Sequence, residues 1–375
     1  MKIIVVHASA GAGHSKAAEA IYHYLKEYCP DTKAYIVDIL DKTNPFFRFS
    51  YKYGYSFLVS HVPMLWSLSF WITYFKILRP FTRPIASFLN RLSTKKFAEF
   101  LIRENPDCVI STHFLSSEIS AFLKIKQKIK SRVVTVITDF GVHPFWVSYG
   151  TDLYIVASEF TKQKLLEQGI SQDLIRVFGI PVDTKFLKEF NKDELLAKFN
   201  LDRHKFTILV VTGSFGTGPI QEITEALYQE VQIIVVCANN KKLFEKLSSK
   251  NYPNVRVFGF IDNIQELMFV SDAIITKPGG LGISESLVME LFPIFIAAIA
   301  GQETENIKAL AKYGLAREAA NIHLIKETVL DLRGHPEKLS SIKEAIRNVK
   351  KPFAVKDICD AVCQGSSGVT GCRPI

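Results

Sequence analysis

A histidine lies near the start of the chain, where an apolar run gives way to a helical pattern. The run at residues 2–6 is followed by Gly11, Gly13 and His14, and amphipathic periodicity begins at Ser15. Glycines let the backbone approach a ligand closely, and a helix N-terminus carries partial positive charge. Because that charge disfavours the imidazolium form, we expect a neutral His14 that is able to accept a proton. The alternative is a solvent-facing histidine at an ordinary helix start.

Two more glycine-rich segments occupy equivalent places in the second half of the chain. Residues 212–218 and 277–285 each follow a strand-like run and precede a helical one. Backbone N–H groups and helix N-termini at such loops are suited to a diphosphate. The chain has no Asp-x-Asp motif and no paired Cys-x-x-Cys sets, so we expect an anion site with no metal ion and no cofactor. The alternative for each loop is that its glycines only close a turn.

Polar residues follow the third glycine loop at helical positions. Glu285 lies one turn into the next helical segment, where its carboxylate can accept hydrogen bonds from two ribose hydroxyls. Gln302, Glu303 and Asn306 begin another helical segment and offer amide and carboxylate groups to sugar hydroxyls. A polar helix start is also a common capping pattern, which is the alternative interpretation.

The rest of the sequence supplies the elements that would position these residues. Short Val- and Ile-rich runs alternate with amphipathic segments twice, on either side of a charged passage at residues 181–205. Such runs are typical of strands buried on both faces of a parallel sheet. We predict an α/β protein of two Rossmann-like domains, at residues 1–185 and 186–350. A C-terminal helix and tail would occupy residues 351–375.

Residues 45–98 interrupt this alternation. From Lys42 to Ala98 there is no Asp or Glu, whereas nine residues are basic, a number equal to the net charge of +9 for the whole chain. Twelve aromatic residues, including Trp66 and Trp71, fall between Phe46 and Phe75. Polar residues are interspersed among the apolar ones, which makes the segment too polar for a spanning helix. We therefore predict an interfacial insertion that contacts lipid and an anionic membrane surface. The alternative is a set of core helices. The segment is too apolar for a nucleic-acid site.

Four motifs follow one another along the chain. They are Gly11-x-Gly13-His14-x-x-Ala17-Ala18; Thr138-Asp139-Phe140 with His143 and Trp146; Lys277-Pro278-Gly279-Gly280 with Glu285; and Gly301-Gln302-Glu303 with Asn306. In this order they resemble the motifs of monogalactosyldiacylglycerol synthase and the processive diacylglycerol glucosyltransferases, and the resemblance extends from residue 1 to about residue 312. These enzymes belong to the family-28 glycosyltransferases and have the GT-B fold, in which the parallel sheets of two Rossmann-like domains face an interdomain cleft.

The resemblance implies an inverting transfer of a hexose from a UDP-sugar to a lipid acceptor such as diacylglycerol, with the UDP-sugar as co-substrate and without a metal. One of His14 and Asp139 would be the catalytic base. The implied acceptor-side residues are Gly13, His143, Trp146, Trp66 and Trp71. The implied donor-binding residues are Gly213, Ser214, Phe260, Ile261, Gly279, Gly280, Glu285, Gln302, Glu303 and Asn306.

Three alternatives remain open at this level. The first is an isomerase similar to UDP-N-acetylglucosamine 2-epimerase, which would not need the aromatic and basic insertion. The second is an N-acetylglucosaminyltransferase acting on a polyprenyl-linked acceptor. The third is a membrane-binding protein with a degenerate donor site. Gly282 leaves this alternative open because the family usually has Thr there, whereas Glu285, Gln302 and Asn306 weigh against it. Since Met1-Lys2-Ile3 lacks the layout of a secretory signal, we expect a cytoplasmic protein associated with the inner face of the membrane.

Overall fold

The computed structural model describes residues 1–9, 11–54, 62–75, 77–296, 298 and 301–364. The chain forms two compact units, and each contains a six-stranded parallel sheet. Unit 1 comprises Met1–Thr184, Ile299–Glu305 and Phe353–Ile375, and unit 2 comprises Lys185–Ala298 and Asn306–Pro352. The two sheets confirm the predicted pair of Rossmann-like α/β folds.

The sheet of unit 1 has the strand order β2-β1-β3-β4-β5-β6. Its strands are short and rich in Val and Ile, and both faces of the central ones are buried, as the continuous apolar runs predicted. Val6 at the end of β1 is in register with Val37 of β2 and Ser111 of β3, so the carboxyl ends of these strands share one edge. The strands are β1 (Lys2–His7), β2 (Lys33–Asp38), β3 (Cys108–Ser111), β4 (Arg132–Val136), β5 (Leu153–Ile155) and β6 (Ile175–Arg176).

In the described part of unit 1, four α-helices belong to the predicted insertion and its continuation. The insertion begins where Asn44 caps a helix with Pro45 at its first position, and a turn of π-helix at Ser50–Gly54 follows. Trp66 falls within the third helix, but its side chain lies outside the described residues. The helices are α1 (Ala12–Tyr28), α2 (Pro45–Phe49), α3 (Pro63–Tyr74), α4 (Arg79–Ser93), α5 (Lys95–Glu104), α6 (Phe114–Ile125) and α7 (Glu159–Leu166).

Unit 2 has the strand order β12-β11-β10-β7-β8-β9, which is the Rossmann order. Its strands are β7 (Thr207–Val211), β8 (Gln232–Val236), β9 (Val255–Phe258), β10 (Ala273–Thr276), β11 (Phe292–Phe295) and β12 (Arg317–Glu318). The helices in this half of the chain are α8 (Lys192–Lys198), α9 (Ile220–Leu227), α10 (Lys241–Ser249), α11 (Ile264–Phe269), α12 (Gly280–Val288), α13 (Gln302–Ala311), α14 (Ile322–Gly334) and α15 (Pro336–Val349). The start of α13, up to Glu305, belongs to unit 1.

Helix α16 (Ala354–Cys363) belongs to unit 1 and packs on α1. Val355, Ile358 and Cys359 join Ile21 and Leu25 in one buried cluster. In the part of the chain that the structure describes, no helix is both long enough and apolar enough to cross a bilayer.

Candidate active site

His14 lies in the first turn of α1, at the carboxyl edge of the unit 1 sheet. Its Nδ1 atom is 2.9 Å from the carbonyl oxygen of Thr112 and 2.7 Å from Oγ1 of Thr138. A carbonyl oxygen can only accept a hydrogen bond, so Nδ1 must carry the hydrogen in the neutral ring. The Nε2 atom is then the unprotonated nitrogen, and it can accept a proton from a substrate.

The environment keeps His14 uncharged at neutral pH. Burial lowers the pKa of His14 to about 4, the hydrogen bond to Thr112 opposes this shift, and the nearby charge of His7 adds to it. The imidazole of His14 is therefore unprotonated at pH 7, and its conjugate acid releases a proton readily.

The lowered pKa of His14 predicts a loss of stability in acid. The unfolded chain, with a histidine pKa of 6.5, binds the proton more tightly than the folded chain, with a pKa of about 4. The free energy of unfolding should therefore fall as the pH drops through this window, by about 3 kcal/mol from His14 alone. Urea unfolding of His14→Asn should show a correspondingly shallower pH dependence. An equal slope in both proteins would contradict the prediction.

The strand order determines which loops meet at the carboxyl edge of the unit 1 sheet. The sheet of unit 1 runs outward in both directions from β1 and β3, and ligands of doubly wound sheets bind at the carboxyl ends of such a pair. His14 follows β1, and Thr112 and His113 follow β3. Thr138 follows β4 and brings Asp139 to the same edge.

The other predicted acceptor-side residues lie in the same unit. Gly13 is in the first turn of α1 beside His14, and the ring of buried Trp146 is 6.2 Å from that of His14. His143 Nδ1 accepts a hydrogen bond from the backbone of Phe145 at 3.3 Å, so the ring caps the turn that carries Trp146. Trp71 packs edge-on against Tyr74, whose ring is 6.1 Å from His143.

A cavity of about 550 Å³ is lined by residues from the end of α3 and from the end of α7. Tyr74, Phe75 and Leu78 give it apolar lining, and Lys164 and Gln168 give it polar lining. Gln168 also donates to the carbonyl oxygen of Val142, immediately before His143, at 3.5 Å. The lining would suit an amphipathic molecule.

Unit 2 brings two of the predicted glycine loops together. Its strand order reverses between β7 and β10, so the loops after these two strands begin side by side. The Nζ atom of Lys277 donates to Oγ1 of Thr217 at 2.7 Å and joins one loop to the other. This is the place at which a doubly wound sheet binds a nucleotide.

The first of these loops needs its glycines. Gly213 and Gly216 have φ angles of +89° and +56°. A Cβ atom at Gly216 would be 2.1 Å from the carbonyl oxygen of Cys237. The side-chain amides of Asn239 and Asn240 donate to the carbonyl oxygens of Ser214 and Gly216, each at 2.9 Å, and hold the turn in place. Ser214 is half-buried.

The second loop leads into helix α12, whose N-terminus has no side-chain cap. Gly279 is the N-cap residue, and a Cβ atom there would meet nothing within 4 Å, so an anion can approach the backbone at this position. Gly280 begins the helix and is buried. Asn306 is 1% exposed, and its amide donates to the carbonyl oxygen of Pro278 at 2.9 Å. Asn306 thus supports the loop from behind.

The remaining donor-side predictions lie at separate points. Glu285 is half-buried in α12, and exposed Phe260 and half-buried Ile261 follow β9. Gln302 and Glu303 begin α13. Within unit 1, the amide of Gln302 donates to Oδ2 of Asp139 at 3.4 Å. Among the described residues, no three His, Cys, Asp or Glu side chains are grouped to hold a metal ion.

Two family models match the sequence over these two regions. Residues 14–182 match the monogalactosyldiacylglycerol (MGDG) synthase model, and residues 207–359 match the glycosyltransferase family 28 C-terminal domain. The chain belongs to the family-28 glycosyltransferases. This confirms the resemblance in the sequence motifs and makes the protein an enzyme that transfers a sugar.

A protein from Bacillus cereus (strain G9842) is similar over almost its whole length. This processive diacylglycerol beta-glucosyltransferase is 28% identical over 372 residues, which cover 96% of this chain and 93% of the relative.

Solved structures confirm the GT-B fold. MurG of Acinetobacter baumannii has a TM-score of 0.61 at 15% identity, over 97% of this chain and 99% of that chain. UDP-GlcNAc 2-epimerase of Neisseria meningitidis, bound to UDP-GlcNAc, has a TM-score of 0.60 at 15% identity, over 97% of this chain and 100% of that chain. The fold is therefore shared with an epimerase, and it is the family match that identifies a family-28 glycosyltransferase.

The sequence did not single out His113, although it lies beside His14 in unit 1. The side chain is 3% exposed, and its ring centroid is 4.7 Å from that of His14 in an edge-to-face arrangement. The sequence did contain one feature that could have identified His113. Thr112 and His113 directly follow a buried strand, just as the loop that carries His14 follows β1. Tyr51, whose hydroxyl oxygen is 3.4 Å from Nε2 of His113, had no comparable feature in the sequence.

Proposed function

We propose that this glycosyltransferase moves a hexose from a UDP-hexose to the hydroxyl of diacylglycerol at a membrane surface, with inversion at the anomeric carbon. The observation that carries the proposal is a neutral imidazole fixed in one tautomer at the carboxyl edge of the unit 1 sheet. Transfer to an alcohol needs a base that can take the hydroxyl proton near neutral pH. His14 meets this need.

In the proposed step, Nε2 of His14 accepts the proton of the acceptor hydroxyl as its oxygen attacks the anomeric carbon. The Nδ1 hydrogen bond to the carbonyl oxygen of Thr112 supports the cationic ring that forms. Asp139 lies on the same edge of the sheet, and in this proposal it orients the substrates together with Gln302. UDP leaves from the opposite face of the sugar, which gives inversion.

The donor half of the proposal rests on the paired loops of unit 2. The uncapped N-terminus of α12 and the loop held by Asn239 and Asn240 would stabilise the negative charge that grows on the departing diphosphate. Glu285 would accept hydrogen bonds from the ribose. None of these contacts requires a metal ion.

The comparisons favour a hexose and a glycerolipid. The similar Bacillus cereus protein is named for diacylglycerol and beta-glucosyl transfer, and the family model of the first region is named for monogalactosyldiacylglycerol. Glucose is therefore the first donor sugar to test, and galactose is the second. The cavity between Tyr74 and Gln168, with apolar and polar lining, would receive the glycerol end of such a lipid.

Membrane association is part of the proposal, and helix α4 supports it. Phe81, Ile85 and Phe88 are 72%, 63% and 63% exposed and follow one helical face at spacings of four and three residues. Two basic residues of the same helix, Arg83 and Arg91, turn toward the protein. Arg83 donates to the carbonyl oxygen of Val147, and the guanidinium of Arg91 lies 4.5 Å from the ring centre of Phe122.

This orientation refines the expected contact with an anionic surface. Exposed Lys95 and Lys96 can still attract anionic headgroups. The outward apolar face of α4 would provide most of the binding energy by entering the boundary between headgroups and acyl chains. The protein would then be peripheral to the inner face of the membrane.

The membrane proposal predicts the behaviour of a charged variant. Phe81→Asp combined with Phe88→Asp should weaken vesicle binding by about 100-fold or more, because each aromatic side chain contributes roughly 1.5–3 kcal/mol when it is buried. Flotation with phosphatidylcholine vesicles measures the effect. Phe353→Asp is the matched control, since Phe353 is 55% exposed and lies outside the insertion. Equal flotation of all three proteins would contradict this prediction.

The transfer itself is tested with labelled donors. Purified protein is incubated with radiolabelled UDP-glucose or UDP-galactose and vesicles that contain diacylglycerol, and the lipid phase is then extracted. We expect label in a glycolipid that depends on diacylglycerol. Label that remains entirely in the aqueous phase with every donor would overturn the proposal.

A further inference from the structure

His113 connects the insertion to His14 through contacts on two sides. Its ring lies 4.7 Å from the ring of His14, and its Nε2 atom is 3.4 Å from the hydroxyl of Tyr51 in the π-helical turn. The rings of Tyr51 and His113 also meet edge to face, with centroids 5.8 Å apart. These three side chains form a continuous series from the insertion to the proposed base.

The tautomer of His113 follows from its backbone contact. The Nδ1 atom accepts a hydrogen bond from the N–H of Leu115 at 3.1 Å, and in doing so it caps helix α6. Nε2 must then carry the hydrogen in the neutral ring, so it donates to the oxygen of Tyr51. Both nitrogens of His113 are thus engaged, and the plane of the ring is fixed.

Tyr51 sits on the inner side of a segment that has two different faces. Phe47 and Tyr51 stack with their ring centroids 5.3 Å apart and pack against the core cluster that contains Leu101 and Leu115. Phe46 and Phe49 point the other way and are 81% and 63% exposed. The segment that presents aromatic rings to its surroundings is therefore the one that holds His113.

We propose that Tyr51 and His113 are positioning residues for His14: Tyr51 fixes the ring of His113, and the ring of His113 fixes the orientation of His14 and excludes water from it. This inference rests on the proposed function, in which His14 takes the acceptor proton. Neither Tyr51 nor His113 would touch the reacting atoms.

The electrostatic surroundings of His113 keep its ring uncharged. Burial, followed by the charges of His14 and His7, holds the pKa of His113 well below its usual range. His7 is itself faced by Asp38, Glu19 and Asp41, while burial lowers its pKa. His113 therefore does not compete with His14 for the proton during turnover, and it leaves the conjugate acid on His14 alone.

Two conservative variants separate this role from a structural one. His113→Asn keeps a capping acceptor for α6, because Asn is among the best N-cap residues, but it removes the ring beside His14. Tyr51→Phe keeps the ring and removes only the hydroxyl. The matched controls are His23→Asn on α1 and Tyr35→Phe on β2, two exposed residues of unit 1.

The experiment measures glucosyl transfer to diacylglycerol vesicles over a range of pH. It compares the wild type, the two single variants, their combination as a double variant and the two controls. Both single variants should lower kcat by about tenfold, with the KM for UDP-glucose unchanged, because a small misplacement of a base is costly. The double variant should match His113→Asn alone, since Tyr51 acts through His113. In His113→Asn, the acid limb of kcat/KM should move upward by about one pH unit as water reaches His14.

Titration of the His14 ring by NMR provides a readout that does not depend on turnover. We expect its pKa to rise in His113→Asn and to stay unchanged in His23→Asn. Unchanged kcat and unchanged His14 titration in folded His113→Asn, alongside an active wild-type protein, would overturn the inference and leave the proposed function intact. Additive losses in the double variant would also overturn it. A wild-type protein that makes no glycolipid would remove the proposed function and this inference with it.

Discussion

Replacement of His14 by Ala is expected to lower kcat for glycosyl transfer by about 10²- to 10⁴-fold, the range typical of a lost general base. The Kd of UDP should stay within about twofold, because the glycine loops belong to unit 2 and His14 belongs to unit 1. Steady-state kinetics and calorimetric titration with UDP measure the two effects separately.

The pH dependence of kcat/KM provides a second test of the role of His14. Above a pKa of about 4 the imidazole of His14 is neutral, so kcat/KM should fall only when the medium becomes more acidic than that value. The residual activity of His14→Ala should lack this limb. His23→Asn, an exposed position on the same helix, is the control and should behave as the wild type. A His14→Ala variant with full turnover would remove His14 from the mechanism.

Replacement of Gly216 by Ala should weaken UDP binding by about 100-fold. The new Cβ atom would be 2.1 Å from the carbonyl oxygen of Cys237, and both groups are backbone or attached directly to it. The loop must therefore move to relieve this overlap. The φ angle of +56° at Gly216 adds backbone strain for any residue that has a Cβ atom. Displacement of this loop removes the surface that would hold the diphosphate.

Gly334→Ala is the matched control for this substitution. Gly334 lies at the end of α14 in the same unit, and a Cβ atom there would have nothing within 4 Å. We expect this variant to bind UDP as the wild type does. Circular dichroism establishes that Gly216→Ala is folded before its Kd is compared. Equal UDP affinity in the two folded variants would contradict the assignment of residues 212–218 to the donor site.

The local part of this architecture was predictable from the sequence. Strands buried on both faces give continuous apolar runs, and loops that start a helix after such a strand need glycine, so β7, β10 and their loops were identified from neighbouring residues. The two-residue strand β12 and helix α8, within the charged passage at residues 181–205, were missed. Both are too short to give a distinctive pattern.

The contacts that fix the tautomer of His14 could not be predicted in this way. Its Nδ1 contacts join residues 98 and 124 positions apart in the chain, and the tautomer depends on them. His113 and Tyr51 are likewise brought together across 62 positions. No local pattern encodes such contacts, because they arise only when β1, β3 and β4 are aligned in the sheet.

The insertion illustrates a second limit. Its composition predicted aromatic and basic helices, but composition does not determine which side of a helix faces the protein. In α4, Arg83 and Arg91 contact the rest of unit 1, whereas Phe81 and Phe88 are exposed. The cation–π contact of Arg91 with Phe122 and the backbone acceptor for Arg83 compensate for turning charged groups inward.

Proton NMR of an enzymatic reaction tests the central claim most directly. Purified protein is mixed with UDP-glucose and vesicles containing diacylglycerol, and the anomeric signals are followed with time. We predict loss of the α-linked donor signal and equal amounts of free UDP and a new β-linked glucolipid, only when the vesicles are present. Conversion of the donor to another UDP-sugar, release of free glucose without glycolipid, or an unchanged spectrum would each contradict this account.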